Sequence, residues 1–118
     1  TDFQIVDLIV WDKEKFGLGY RTRKQSEYCV VIQKKPILAK KTWTNHSIPD
    51  VWGEKIVKNG DDHPHLKPSG LIEQLIMATT SEGDYVLDPA AGSYRVMNEC
   101  IKMNRIFIGG DIEYGENI

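Results

Sequence analysis

Two aspartates stand out for where they fall. Asp88 closes the apolar run Tyr85-Val86-Leu87, and Asp111 closes Ile106-Phe107-Ile108-Gly109-Gly110, about 23 positions later. Between them lies a loop of small residues, Pro89-Ala90-Ala91-Gly92-Ser93, and then a helix-like segment. Open α/β sheets bind ligands outside the carboxyl ends of their strands. Small residues there let a ligand approach the backbone closely. An acidic residue roughly 20 positions beyond a glycine-bearing turn suits the ribose hydroxyls of a nucleotide-type compound. Only Gly92 lies in the loop, so the pattern is not G-x-G-x-x-G, which argues against a dinucleotide and its pyrophosphate. A smaller, partly cationic adenosine compound fits better. The bland alternative is that Asp88 caps the following helix and Asp111 is a solvated strand-end carboxylate.

These residues need elements to position them. Residues 5–12, apolar and β-branched with Asp7 inside, read as a mostly buried strand, and 27–33 as a second. The two form an antiparallel hairpin across a basic, glycine-loosened loop, 13–24. Residues 34–64 lack periodicity and read as a long irregular connection, of the kind that is usually functional or disordered. Ser69 is a candidate N-cap for a helix over 69–80, with Leu71, Ile72, Leu75, Ile76 and Thr79 on one face. Residues 85–88 read as a short buried strand, 94–103 as a helix and 105–112 as a strand. The order helix, strand, helix, strand predicts a right-handed crossover and two parallel strands.

The bulk numbers set limits. A chain of 118 residues suits one domain, and 41% hydrophobic with 27% charged residues is ordinary globular composition. The net charge of −2 gives no global attraction to nucleic acid, so such contact needs a local basic patch. Cys29 and Cys100 sit in apolar runs and read as buried reduced thiols, and no spacing resembles a zinc site. No run is long enough to span a membrane and no signal peptide is visible, which points to the cytoplasm. The opening Thr1-Asp2, without an initiator Met, hints at a trimmed or partial chain.

The segments His63-Pro64-His65-Leu66-Lys67-Pro68, Gly83 to Ser93 and Phe107-Ile108-Gly109-Gly110-Asp111-Ile112 together resemble the C-terminal half of a DNA amino-methyltransferase. The order resembles the β-arrangement of that family, in which the catalytic motif comes first and the cofactor motifs come last. That family reads H-P-x-x-K-P, a helix, V-L-D-P-F-x-G-S-G-T, then F-I-G-I-E. Trp11-Asp12-Lys13, Gly17, Gly19, Arg21, Glu27 and Pro49-Asp50-Val51-Trp52 match earlier segments, so the likeness spans nearly the whole chain. It implies S-adenosylmethionine as cofactor, the exocyclic amino group of adenine or cytosine in DNA as target, and a place in restriction-modification. By position, Asp88, Pro89, Ala90, Ala91, Gly92 and Ser93 would line the cofactor's methionine side. Asp111 would take the ribose hydroxyls, and Lys67, Pro68 and Ser69 would form the adjoining wall. Arg21, Arg23, Lys24, Lys40 and Lys41 would contact DNA phosphates, or else form a solvated loop surface.

The chain departs from the family in three ways. Tyr94 stands where the second glycine of the loop belongs. Ala90 replaces a bulkier residue. No [DNS]-P-P-[YFW] motif is present, so no catalytic residue is assigned. That motif accepts the target amino group and stacks on the flipped base. The expected fold is therefore a partial Rossmann-like methyltransferase sheet with an antiparallel strand pair, lacking the central strand that bears the motif. Residues 1–33 would be the strand pair, 34–62 a remnant of the target-recognition region and 63–118 the cofactor-binding β/α segment. Such a chain leaves apolar surface open, to be covered by an upstream segment, a second half or a further copy. Two readings follow: part of a methyltransferase, or a degenerate, non-catalytic binding module.

Overall fold

A computed structural model describes residues 2–56, 67–92 and 94–110, with the backbone alone at Ala39 and Lys40. The chain is α/β and divides into two compact units, Thr1–Lys55 and Ile56–Ile118. Its described strands form two sheets that share no strand.

The first unit holds β1 (Phe3–Asp12), β2 (Ser26–Lys34), the single turn α1 (Ala39–Thr42) and β3 (Val51–Gly53), with sheet order β2-β1-β3. β1 and β2 pair antiparallel, as the apolar runs predict, and the register slips between Ile5 and Asp7. This bulge at Val6 reverses which face each later residue takes. Ile5 and Leu8 consequently share a face, with Val10 and with Tyr28, Val30 and Ile32 opposite them. β1 is not the mostly buried strand its composition suggests. Only Ile9 and Trp11 are buried, while Phe3, Ile5, Val6 and Leu8 are exposed. The reason is that the face carrying Ile5, Leu8, Tyr28, Val30 and Ile32 is uncovered.

β3 is a correction to the irregular connection read over 34–64, as is α1; residues 57–64 lie outside the described chain. β3 runs parallel to β1, with Trp11 opposite Trp52 and Asp12 opposite Gly53. The backbone bonds Val10 N–H to Asp50 O (2.7 Å) and Glu54 N–H to Asp12 O (3.0 Å) bracket the ladder. Trp11 Nε1 donates to Glu54 O (2.8 Å) and Trp52 Nε1 to Glu54 Oε1 (2.9 Å), so both indoles have their polar edge satisfied.

The second unit runs α2 (Ser69–Thr79), β4 (Tyr85–Asp88), α3 (Arg95–Lys102) and β5 (Ile106–Gly109). β4 and β5 are parallel, as expected of a strand-helix-strand unit. Ser69 is not the N-cap of α2. Pro68 is, with extended backbone and no side-chain cap, because its carbonyl accepts the first helical bond from Ile72 N–H at 3.0 Å. The buried side of α2 is Leu71, Ile76 and Ala78, while the expected Thr79 is exposed. α3 packs on α2 and on β5, and buries Cys100 completely. Both cysteines are free, and Cys29 is only half-buried; burial pushes both thiols above the usual range. Buried Glu99 is held by Lys102 Nζ at 3.2 Å.

Arg105 ties this unit together. Its Nε donates to Thr80 Oγ1 (3.0 Å), Nη2 to Thr80 O (2.8 Å) and Nη1 to Met103 O (2.8 Å). One planar guanidinium thereby clamps the end of α2 to the turn between α3 and β5. Val86 and Phe107 are half-buried on one face of the strand pair, while Tyr85, Leu87, Ile106 and Ile108 are exposed on the other. Parallel strands normally have both faces covered. Here one face is bare, in keeping with the open apolar surface expected of a partial sheet.

Candidate cofactor loop and basic arm

The candidate cofactor loop begins where β4 ends. Asp88 pairs with Gly109 at the carboxyl ends of the two parallel strands, the edge at which such sheets bind ligands. It shares the face of Val86, and its Oδ1 accepts the N–H of Ala90 at 3.2 Å. This bond holds the loop start rather than capping α3. The chain then turns through Pro89 and Ala90, both exposed, into the buried Ala91 and Gly92. Ala91 N–H donates to Gly110 O (3.0 Å), which fastens the loop to the residue after β5. Gly92 has φ 56, and Tyr94 N–H returns to Ala91 O at 2.9 Å.

Gly109 has a role that spacing did not reveal. A methyl on its Cα would overlap the carbonyl oxygen of Asp88 and lie 2.7 Å from Phe107 Cζ. The two strands close on each other there, and only glycine permits it. Its sequence signal is the Gly109-Gly110 pair straight after an apolar run.

Tyr94 caps α3 with φ 59 and ψ 33, a left-handed backbone. It thus adopts the conformation that a glycine at this position would take freely. Its ring meets Phe107 edge-on, with centroids 6.3 Å apart at 69°. The aromatic packs against β5, a stacking neighbour that accounts for where its bulk goes. Across the gap in the described chain, Lys67 is exposed, Pro68 buried and Ser69 half-buried at the entry to α2. Ser93, Asp111 and the segment His63 to Leu66 lie outside the described residues.

The residues fit an adenosine-type cofactor. Asp88 supplies an acceptor at a strand end, and the small residues Ala90, Ala91 and Gly92 put no bulk beside it. Among the described residues no cluster of three His, Cys, Asp or Glu can hold a metal ion, and no helix is long and apolar enough to cross a membrane.

In the first unit the loop 13–25 is not loose. Lys13 N–H donates to Gln25 O (2.8 Å), Gly17 N–H to Lys24 O (2.6 Å) and Lys24 N–H to Leu18 O (3.4 Å). These bonds prolong the hairpin as an arm beyond Asp12. Gly17 and Gly19 are needed because a methyl on either would strike the facing backbone, Lys24 O or Thr22 O. At its base, Asp12 Oδ1 accepts Gln25 Nε2 (2.9 Å) and Glu14 N–H (2.8 Å), and these two bonds hold its carboxyl below the usual carboxylate range. Lys13 pairs with Glu27 at 3.3 Å and lies 6.0 Å from the Trp11 ring centre. Arg21, Arg23 and Lys24 are brought together on this arm, all exposed. Lys41 is exposed on α1, a separate element, and the side chain of Lys40 lies outside the described set.

The family model for DNA methylases matches residues 1–118. The type II methyltransferase M.HhaII of Haemophilus parahaemolyticus is 55% identical over 113 residues, covering 96% of this chain and 49% of that protein. M2.DpnII of Streptococcus pneumoniae is 43% identical over 68 residues, covering 54% of this chain and 25% of its own. The crystal structure of the M1.HpyAVI–SAM complex superposes with a TM-score of 0.76 at 25% identity, covering 95% of this chain and 57% of that one. The PvuII cytosine-N4-specific DNA methyltransferase shares the fold, with a TM-score of 0.76 at 16% identity over 94% of this chain and 48% of that one. The match thus spans about half the length of M.HhaII and of the two solved structures, and a quarter of M2.DpnII. A strand-end aspartate, a small-residue loop and a matching family pattern from end to end lead to one conclusion: this chain belongs to the DNA methylase family.

Proposed function

We propose that this chain is the cofactor-binding part of a DNA methyltransferase that moves a methyl group from S-adenosylmethionine to an exocyclic amino group of adenine or cytosine. The observation that carries the reading is the loop Asp88–Gly92, fastened at the carboxyl ends of the parallel pair β4–β5 by Ala91 N–H to Gly110 O. The cofactor, when bound, supplies a methyl group on a sulfonium centre. Asp88 sets a carboxylate near that cation, which a half-buried positive charge requires. Pro89, Ala90, Ala91, Gly92 and Ser93 line the methionine side. Lys67, Pro68 and Ser69 wall the pocket, and Asp111 accepts from the ribose hydroxyls. Arg21, Arg23, Lys24, Lys40 and Lys41 hold DNA phosphates and set the register on the duplex without reading sequence.

This chain provides binding and orientation but not the residue that receives the amino group, since it has no Asp-Pro-Pro-aromatic motif. That group comes from an upstream segment or a separate half, whereas a second copy of this chain could only cover the open sheet. The bare apolar faces of both units support such a cover, and the cytoplasm is where it would meet DNA. The test is calorimetry with S-adenosylmethionine on this chain and on Asp111→Ala. It is followed by a methyl-transfer assay on DNA with and without an upstream piece bearing the motif. Binding lost in Asp111→Ala, and transfer only when the piece is added, is the expected result. Binding unchanged in the variant overturns the ribose assignment.

A binding-only module is the second reading, favoured by the missing motif and by Tyr94 in place of a glycine. It predicts cofactor binding with no transfer under either condition.

A further inference from the structure

The arm between β1 and β2 carries more than charge. Phe16, Leu18 and Tyr20 alternate with Gly17 and Gly19 and project into solvent at 72%, 86% and 105% exposure. Single exposed apolar residues need no explanation, but three in succession on one stiffened arm do. Leu18, Gly19, Tyr20 and Arg23 line one shallow hollow at the tip. The exposed cations Arg21, Arg23 and Lys24 stand beside it, on a chain whose net charge is −2. The arm also leaves the carboxyl end of β1, which is the end shared with its parallel neighbour β3 and the ligand-binding edge of such sheets.

We propose that this arm is a DNA-engaging finger whose Tyr20 ring stacks on an unpaired base while Arg21, Arg23 and Lys24 grip the adjoining phosphates. The inference rests on the DNA methyltransferase reading and adds to it a residue that senses an opened duplex. An aromatic face beside guanidinium groups is the chemistry that binds a base and its backbone together. A paired duplex offers the phosphates but hides the base face. A site with one base lacking its partner offers both. Gly17 and Gly19 let the arm fold back tightly, and Tyr20 stands at the turn just beyond the bonds that join Gly17 and Leu18 to Lys24.

The experiment measures anisotropy of two labelled duplexes, one fully paired and one with a single base opposite an abasic position. The proteins are the full chain, Tyr20→Ala, Tyr20→Phe and the double variant Arg21→Ala/Arg23→Ala. Tyr20 touches nothing that its replacement would unpack, and far-UV circular dichroism checks that each variant is folded. The parent binds the abasic duplex more tightly than the paired one. Tyr20→Ala weakens binding to the abasic duplex about tenfold or more and leaves the paired duplex within twofold, while Tyr20→Phe behaves as the parent. The double arginine variant weakens both duplexes alike and lowers the slope of log affinity against log salt by about 2. Tyr20→Ala within twofold of the parent on the abasic duplex overturns the stacking role. So does Tyr20→Phe falling as far as Tyr20→Ala, because the hydroxyl would then carry the contact. A parent chain that binds neither duplex overturns the DNA-holding reading of this chain itself, which separates the two failures.

Discussion

Replacing Gly109 with alanine is the sharpest test of how the cofactor loop is held. The new methyl meets the Asp88 carbonyl oxygen well inside contact distance and stands 2.7 Å from Phe107 Cζ. The phenyl ring can turn aside, but the carbonyl belongs to the β4–β5 ladder and cannot. The strands must part at the Asp88–Gly109 register, or the chain must kink after Ile108. Forcing a methylene-sized group into a closed site costs about 1–3 kcal/mol, and each ladder hydrogen bond lost adds about 1 kcal/mol. A total near 3 kcal/mol is expected. For a unit of this size that is a drop in melting temperature of more than about 12 °C. The damage also spreads, because Gly110 O holds Ala91 N–H and so the loop itself. Gly83→Ala is the control. Gly83 has φ +86 with open space around it, so its alanine pays only left-handed strain, about 1 kcal/mol. Thermal unfolding followed by far-UV circular dichroism, with S-adenosylmethionine calorimetry on the same samples, measures both. Gly109→Ala melting no lower than Gly83→Ala, with unchanged cofactor affinity, would refute the close-approach argument.

Three further outcomes are expected. Tyr94→Gly releases left-handed strain of about 1 kcal/mol but loses the edge contact with Phe107, about 0.5–1.5 kcal/mol, and loosens the unfolded chain by about 0.5–1 kcal/mol. Denaturant titration should therefore show a net loss under about 1.5 kcal/mol, with cofactor affinity no weaker than in the parent. Arg105→Met keeps the stem and removes three donors, so stability in the same titration should fall by about 2 kcal/mol. Asp12 has its folded carboxyl pKa lowered, so its contribution is present above the usual carboxylate range and is lost as pH falls through that folded value. Gln25→Ala removes the largest cause, and an NMR titration of the Asp12 carboxyl should move up toward the ordinary value.

The long alternating and apolar runs were legible. Ile5 to Asp12, Glu27 to Gln33, the helix from Ser69 and the parallel pair 85–88 and 106–109 follow from periodicity that tertiary contacts reinforce. What was illegible lies in contacts rather than patterns. β3 is three residues long, too short for any period, and exists because β1 offers Trp11 and Asp12 as a parallel template. The exposure of β1 is invisible to composition, because an apolar strand reads the same whether or not its face is covered. The Val6 bulge that decides that face leaves no mark in the sequence. In the candidate site, Asp88 and its small-residue loop were readable from the strand end. The grip of Gly110 O on Ala91, the left-handed Tyr94 and the Arg105 clamp were not, since each joins residues whose spacing has no signature.

The bare faces carry a consequence for temperature. Ile5, Leu8, Tyr28, Val30 and Ile32 on one hairpin, and Tyr85, Leu87, Ile106 and Ile108 on the other sheet, all meet water. A partner that closed over them would be drawn by a force that is almost wholly entropic near 25 °C and fades on cooling. Its closure should be marked by a negative heat-capacity change. A preparation kept on ice would therefore loosen the cover and hold these surfaces bare, and gentle warming would favour the closed assembly.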